Sequence, residues 1–278
     1  MSLFAFGLGY CASRLIARGR LGAAAGTVRA PAAIEAWRRR GVEAHLFGEA
    51  GRAASQAEIA LVSIPPDAEG DPTLRAYSSA LRAGRLVRIV YLSTVGVYGD
   101  AGGAWVDEES PTPAITVRAH ARVAAEAAWM AFGREAGVAV DILRLGGIYG
   151  PGRSAFDRLR DGAARRVAKP GQVFNRIHVD DIAAAVETVA AAARPGAIYN
   201  VVDGAPSAPD EMIVYAAELL GVPPPPEEPF ETAGLTGMAA SFYEENRRVR
   251  NDRLRGLGWA PRYPTYREGL AAILVEEG

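Results

Sequence analysis

The sequence predicts an α/β fold, a doubly wound parallel sheet with helices on both faces and a smaller lobe at its C-terminal end. Three observations lead there. The chain opens Met-Ser-Leu-Phe-Ala-Phe-Gly-Leu-Gly-Tyr-Cys-Ala, an apolar run suited to a strand buried on both faces, broken by a glycine turn and followed by a helix-forming stretch. Apolar runs and glycine punctuation then alternate strand and helix as far as Val202. Beyond Gly150 the texture changes to a glycine- and arginine-rich excursion, and from Ala205 to helices and the run Pro223-Pro224-Pro225-Pro226.

Leu3 to Phe6 form the first strand, and Ser13 to Arg18 belong to the helix behind the turn. Ala24 to Val28 read as the second strand, Ala32 to Arg40 as a helix and Glu43 to Phe47 as the third strand. Ile59 to Ile64 are a fourth strand, ended by Pro65-Pro66. A helix from Thr73 to Ala83 leads to a fifth strand at Leu86 to Leu92. A long alanine-rich helix, Val117 to Glu135, precedes a strand at Ala139 to Leu145. Ile182 to Ala192 are helical, with Asp180 or Asp181 placed to cap them, and Ile198 to Val202 are the last strand. The expected division puts 1–150 and 174–203 in a dinucleotide-binding domain, and 151–173 and 204–278 in a substrate-binding lobe. No internal repeat is visible.

Bulk properties narrow the function. The 278 residues carry a formal net charge of −1 and are 49% hydrophobic, enough for a sizeable core and too balanced for nucleic acid. The densest basic run, Arg38-Arg39-Arg40, reads as a solvated helix end. A single cysteine, Cys11, excludes an intrachain disulfide and a cysteine-based zinc site and suits a reducing cytoplasm. The three histidines show no metal-ligand spacing, so no metal is expected. The alanine-rich stretch Ile182 to Ala193 is too short to span a bilayer and carries Glu187, so a soluble protein without membrane partners is expected.

Ligands of doubly wound sheets sit at the carboxyl ends of the strands, which makes the residues after each strand the candidates. In a Rossmann-type reading, Gly7 permits the tight turn, Gly9 lets the backbone approach a pyrophosphate, and Ala12 lets the helix pack closely. Leu8, Tyr10 and Cys11 complete the loop, and the helix N-terminus offers its free N–H groups to the anion. Ser63, Ile64 and Pro65 end the fourth strand and Ser93 the fifth, beside the same cleft. NAD sites hold the adenosine ribose with a carboxylate about twenty residues past the glycines. Here no acidic residue precedes Glu35, and Arg29 stands in that place. An arginine suits a 2′-phosphate, so NADP is expected over NAD, with Arg29 as an ordinary strand-end residue the alternative.

Several stretches resemble the extended short-chain dehydrogenase/reductases, the NAD-dependent epimerases and dehydratases. Tyr91-Leu92-Ser93-Thr94-Val95-Gly96-Val97-Tyr98-Gly99 is similar to their strand-five motif, and Leu143-Arg144-Leu145-Gly146-Gly147-Ile148-Tyr149-Gly150-Pro151-Gly152 to their strand-six motif. Arg176-Ile177-His178-Val179-Asp180-Asp181-Ile182-Ala183 resembles the family's return to the sheet, and Tyr199-Asn200-Val201 its last strand. The resemblance implies an NAD(P)-binding fold with a C-terminal substrate lobe, a small and nucleotide-sugar-like substrate and, commonly, a homodimer.

Two departures mark an atypical member. The family's opening Gly-x-x-Gly-x-x-Gly falls on Phe6, Gly9 and Ala12, leaving the form Gly-x-Gly-x-x-Ala. Its catalytic tyrosine and lysine, four residues apart on the long helix, fall on Arg118 and Arg122. The chain's one lysine, Lys169, has Arg165 four residues before it, so the pair is not supplied elsewhere. Arg122 can donate to a ribose or pyrophosphate but cannot exchange a proton. Thr94 falls on the family's catalytic serine or threonine. If chemistry occurs, Thr94 is expected to orient a carbonyl and Tyr98 to act as acid. The alternatives are that Thr94 closes the strand and Tyr98 packs under the nucleotide. Tyr149 and His178 are candidates to line the substrate cleft, though His178 more simply fixes the corner before a helix. The sequence thus leaves two functions open, an NAD(P)-dependent oxidoreductase or epimerase and a non-catalytic NADP(H)-binding sensor or regulatory protein.

Overall fold

Seven parallel strands make the central sheet of the computed structural model, which describes residues 1–277. They are β1 (Ser2–Phe6), β2 (Ala23–Val28), β3 (Glu43–Leu46), β4 (Ile59–Val62), β5 (Arg88–Thr94), β6 (Ala139–Leu145) and β7 (Ile198–Val201). Their spatial order is β7-β6-β5-β4-β1-β2-β3. The chain winds outward from β1 to β3, then returns to the other side of β1 at β4. That reversal opens a crevice at the carboxyl ends of β1 and β4.

Alternate residues of each strand feed opposite cores. Leu3, Ala5, Ile59, Leu61, Val90, Leu92 and Leu143 pack with Ala12 and Leu15 of α1 (Tyr10–Ala17) and with Ile182, Val186 and Val189. Phe4, Phe6, Ala60, Val62, Ile89, Tyr91 and Ile142 pack on Tyr77 and Leu81 of α2 (Pro72–Arg82) and on Trp129 and Phe132 of α3 (Val117–Ala136). Asp71 caps α2 and Thr116 caps α3, each accepting a backbone N–H from inside the first turn. Gly137 ends α3 in the left-handed conformation.

Two expected elements shift. The fifth strand starts at Arg88, not Leu86, because its ladders with Ile59 and Ala139 begin there, and the Arg88 guanidinium is buried against Asp141 and the carbonyls of Ala192 and Arg194. The helix expected from Ile182 is α4, Val179–Ala191, and its cap is His178 rather than Asp180 or Asp181. The His178 ring accepts the Asp180 N–H through Nδ1 at 3.2 Å. Asp180 is thereby left to hold Arg14, and Asp181 accepts the N–H groups of Arg262 and Tyr263.

Three two-stranded parallel pairs lie outside the sheet. Gly147–Tyr149 pairs with Arg176–His178, Arg166–Ala168 with Glu227–Pro229, and Trp105–Val106 with Arg248–Val249. A separate apolar cluster joins Tyr149 and Phe156 to Ile213 and Ala216, and to Tyr266, Leu270 and Ile273 of α5 (Tyr266–Glu277). Among the described residues no helix is long and apolar enough to cross a membrane.

Candidate active site

The glycine turn is built by three hydrogen bonds and a serine. The Gly7 N–H donates to Thr27 Oγ1 at 2.9 Å, the Leu8 N–H to the Thr27 carbonyl and the Gly9 N–H to the Gly7 carbonyl, both at 2.8 Å. Ser63 Oγ bonds the carbonyls of Phe6 and Gly7 from the end of β4. Gly7 has φ +95°, and a Cβ there would lie 2.8 Å from Ser63 Oγ, so the position is restricted to glycine. At Gly9, by contrast, a Cβ would meet nothing within 4 Å. Space therefore lies directly above the start of α1.

No side chain caps that start. The first N–H groups of a helix have no intrahelical partner, so those of Tyr10, Cys11 and Ala12 are available to an anion held over Gly9. Ala12 is fully buried between helix and sheet. Phe6 explains the departure in glycine spacing. It is fully buried, with ring centroids 4.9 Å from Phe4 and 5.0 Å from Tyr77, so it belongs to the core and the turn begins at Gly7. These residues fit the pyrophosphate of a dinucleotide. Arg29, exposed one residue past β2, has no hydrogen bond or ion pair among the described residues, and Glu35 is paired with Arg38.

On the other side of the crevice, Thr94 ends β5 and its Oγ1 accepts the Gly96 N–H at 3.1 Å. The hydroxyl proton is left free to donate. A Cβ on Gly96 would stand 4.0 Å from Nη2 of Arg247, so a guanidinium from far along the chain lies over the same turn. Arg247 is held by the Gly99 carbonyl and by Glu245.

Three expected site residues have other work. Ser93 is buried and bonds Glu126, and Glu126 also receives Nε and Nη2 of Arg144. Arg144 Nη1 donates at 3.0 Å to the hydroxyl of Tyr98, which donates at 2.7 Å to Asn200 Oδ1. Tyr98 is 2% exposed, and burial raises its pKa. It is therefore part of the framework, and the acid role expected of it would require breaking two hydrogen bonds in the interior. Arg122 donates Nη1 to the Leu92 carbonyl at 2.8 Å and to the Tyr91 hydroxyl at 3.1 Å, which binds α3 to β5. Arg118 is exposed.

Tyr149 and His178 pack rather than line a cleft. The Tyr149 hydroxyl donates to the Thr265 carbonyl at 3.4 Å, and a Cβ on Gly269 would collide with that hydroxyl. The ring meets His178 edge-on at 5.2 Å. Burial pushes the His178 pKa down to about 4, which keeps the cap neutral. Sequence reasoning missed Asp203, 2% exposed, whose pKa burial pushes up to about 7. Nothing in the local pattern marks it.

The turn, the uncapped helix and the strand order define a Rossmann-type fold. Residues 67–202 match the NAD dependent epimerase/dehydratase family. Protein YeeZ of Escherichia coli K12 is 34% identical over 145 residues, 51% of this chain and 50% of that one. The chain thus spans about half the length of the curated relatives it first matches. A functionally unknown conserved protein from Silicibacter pomeroyi is 44% identical with a TM-score of 0.92, covering 99% of this chain and 98% of the other. MoeE5, solved with UDP-glucuronic acid and NAD, has a TM-score of 0.79 at 19% identity, covering 100% and 99%. The human epimerase family protein SDR39U1, solved with NADPH, has a TM-score of 0.75 at 17% identity, covering 98% and 99%. The last two are likenesses of fold. Residues 67–202 thus carry the pattern of the NAD-dependent epimerase/dehydratase family, and the chain as a whole shares the fold of such proteins.

Proposed function

We propose that this chain is an NADP(H)-dependent oxidoreductase or epimerase-type protein that works without the family's tyrosine–lysine pair on a small, nucleotide-sugar-like substrate. The observation that carries the reading is the open space over Gly9 at an uncapped helix start, beside the switch point of the sheet. A nicotinamide dinucleotide with its phosphates held there would supply hydride chemistry. This chain's own part is to hold the phosphates on the N–H groups of α1 and to meet a carbonyl with the free proton of Thr94. Arg29 favours the 2′-phosphate of NADP, since no carboxylate replaces it. A neighbour that holds UDP-glucuronic acid supports the substrate class. Residues 151–173 and 204–278 form the substrate lobe in this reading, in a cytoplasmic homodimer.

A non-catalytic NADP(H) sensor is the second reading. It is favoured by Arg122, whose Nη1 is tied to β5, and by the framework role of Tyr98. Incubation of 4-deuterated NADPH with a panel of carbonyl compounds, and of NADP⁺ with nucleotide sugars deuterated at the carbon to be oxidised, separates the two. Deuterium in any product supports the enzyme. Binding of NADPH without exchange across the panel supports the sensor. In the binding arm, Arg29→Gln is expected to weaken NADPH about tenfold and leave NADH unchanged. An unchanged NADPH affinity would remove the argument for NADP.

A further inference from the structure

The start of α1 has two arginines near it, and they differ in kind. Arg14 is saturated, with Nε and Nη2 on Asp180 at 2.7 and 2.9 Å and Nη1 on Glu276 at 2.8 Å. Arg153 comes from the loop after Tyr149 and makes no side-chain hydrogen bond or ion pair among the described residues. Its guanidinium lies 5.9 Å from the Tyr10 ring centroid, and its charge is felt at the Cys11 thiol, the second residue of α1. Glu277, at the end of α5, accepts from Arg160 and from the Gly152 N–H.

The loop that carries Arg153 is fixed in place. Gly150 and Arg153 exchange backbone hydrogen bonds at 3.2 and 3.0 Å. The Tyr10 hydroxyl donates to the Pro151 carbonyl at 3.0 Å, and a Cβ on Gly150 would stand 2.4 Å from that hydroxyl. Tyr10 therefore seats this turn against the first helical turn, and the turn presents, near the first residue of α1, a cation unpaired among the described residues. An exposed arginine held by its backbone and left without a carboxylate is arranged for an external anion.

We infer that Arg153 is a second-segment clamp for the pyrophosphate of the dinucleotide, working opposite the N–H groups of α1. The inference rests on the dinucleotide reading above and adds to it a residue outside the glycine motif.

The test is calorimetry of the full chain with three probes: NADPH, ADP-ribose and adenosine 2′-monophosphate. Arg153→Gln is expected to weaken NADPH and ADP-ribose about tenfold, more at low salt than at high, and to leave adenosine 2′-monophosphate unchanged. Arg153→Lys is expected to recover part of the loss, and Arg29→Gln to spare ADP-ribose. The thermal midpoint of Arg153→Gln should equal that of the parent, because the side chain is exposed. Parent-like ADP-ribose binding by Arg153→Gln overturns the clamp and leaves the dinucleotide reading standing. Failure of the unaltered chain to bind NADPH, NADH or ADP-ribose overturns both.

Discussion

Gly7 and Gly9 are two residues apart, yet the structure assigns them separable tasks, and substitution by alanine tests the separation. Gly7 has φ +95° and a Cβ there would approach Ser63 Oγ to 2.8 Å. A side chain in that region costs roughly 1–2 kcal/mol, and displacing the serine that bonds two carbonyls adds roughly 1–2 more. Gly7→Ala should therefore lower the thermal midpoint by roughly 4–16 °C, at about 2–4 °C per kcal/mol for a chain of this size. Gly9 has φ −101° and ψ −158°, open to any residue, and its Cβ meets no atom. The entropy gained by removing a glycine, about 0.4–1 kcal/mol, offsets alanine's weakness as a helix cap, about 1 kcal/mol. Gly9→Ala should fold with an unchanged midpoint. Its methyl group would occupy the anion's place and forfeit one or two charge-assisted bonds, about 1.5–3 kcal/mol each, weakening NADPH by roughly 10- to 10⁴-fold. Scanning fluorimetry with and without NADPH reads both effects. If Gly9→Ala keeps the parent's NADPH shift, the phosphates do not lie over Gly9 and the site has been misplaced.

Two further substitutions probe the frame behind the site. Glu126→Ala leaves the Arg144 charge buried and unpaired, and should cost about 3–5 kcal/mol in urea unfolding, while Glu126→Leu with Arg144→Met should recover most of it. A loss below about 1 kcal/mol would show that water reaches the pair. Asp203 has a folded pKa of about 7 against an ordinary value of 3.8, so its contribution is complete below pH 4 and is lost as pH rises through 7. His178, pushed down to about 4 from 6.5, has the opposite sign, its contribution being complete above pH 6.5 and lost as pH falls through 4. The two slopes oppose one another between pH 4 and 6.5. Asp203→Asn should make unfolding free energy rise with pH across that window and exceed the parent's at pH 8 by up to roughly 4 kcal/mol. A parent-like pH profile in the variant would show that Asp203 ionises normally in the fold.

What the sequence shows of this protein is what local chemistry records. A buried strand needs an unbroken apolar run, and a tight turn with positive φ needs glycine, so β1, Gly7 and the alternation of strand and helix are readable without a structure. The family resemblance is readable for the same reason, because its motifs are contiguous. Arg122 shows where this ends. Its place on α3 follows from counting, but its hydrogen bond to the Leu92 carbonyl depends on how α3 lies against β5. Ser93 and Tyr98 stand in a motif that looks catalytic, and their partners Glu126, Arg144 and Asn200 come from three other elements. The polar path they form crosses the sheet from β5 to β7.

That frame gives the missing catalytic pair a physical setting. A lysine at position 122 would carry a compact charge on a flexible stem, free to reach a ribose. The arginine there has a planar fork, and its Nη1 closes on a main-chain carbonyl and a tyrosine hydroxyl of β5. With Glu126 one turn further along α3 bonded to Ser93 and Arg144, the helix is fastened to the strand at two successive turns. Of the two positions that carry the catalytic pair in the wider family, 122 here holds the strand that carries Thr94, and 118 is exposed. In the proposed reading a proton at this site comes from Thr94, from a water or from the substrate itself, and Arg29 and Arg153 are left exposed to meet the cofactor's phosphates.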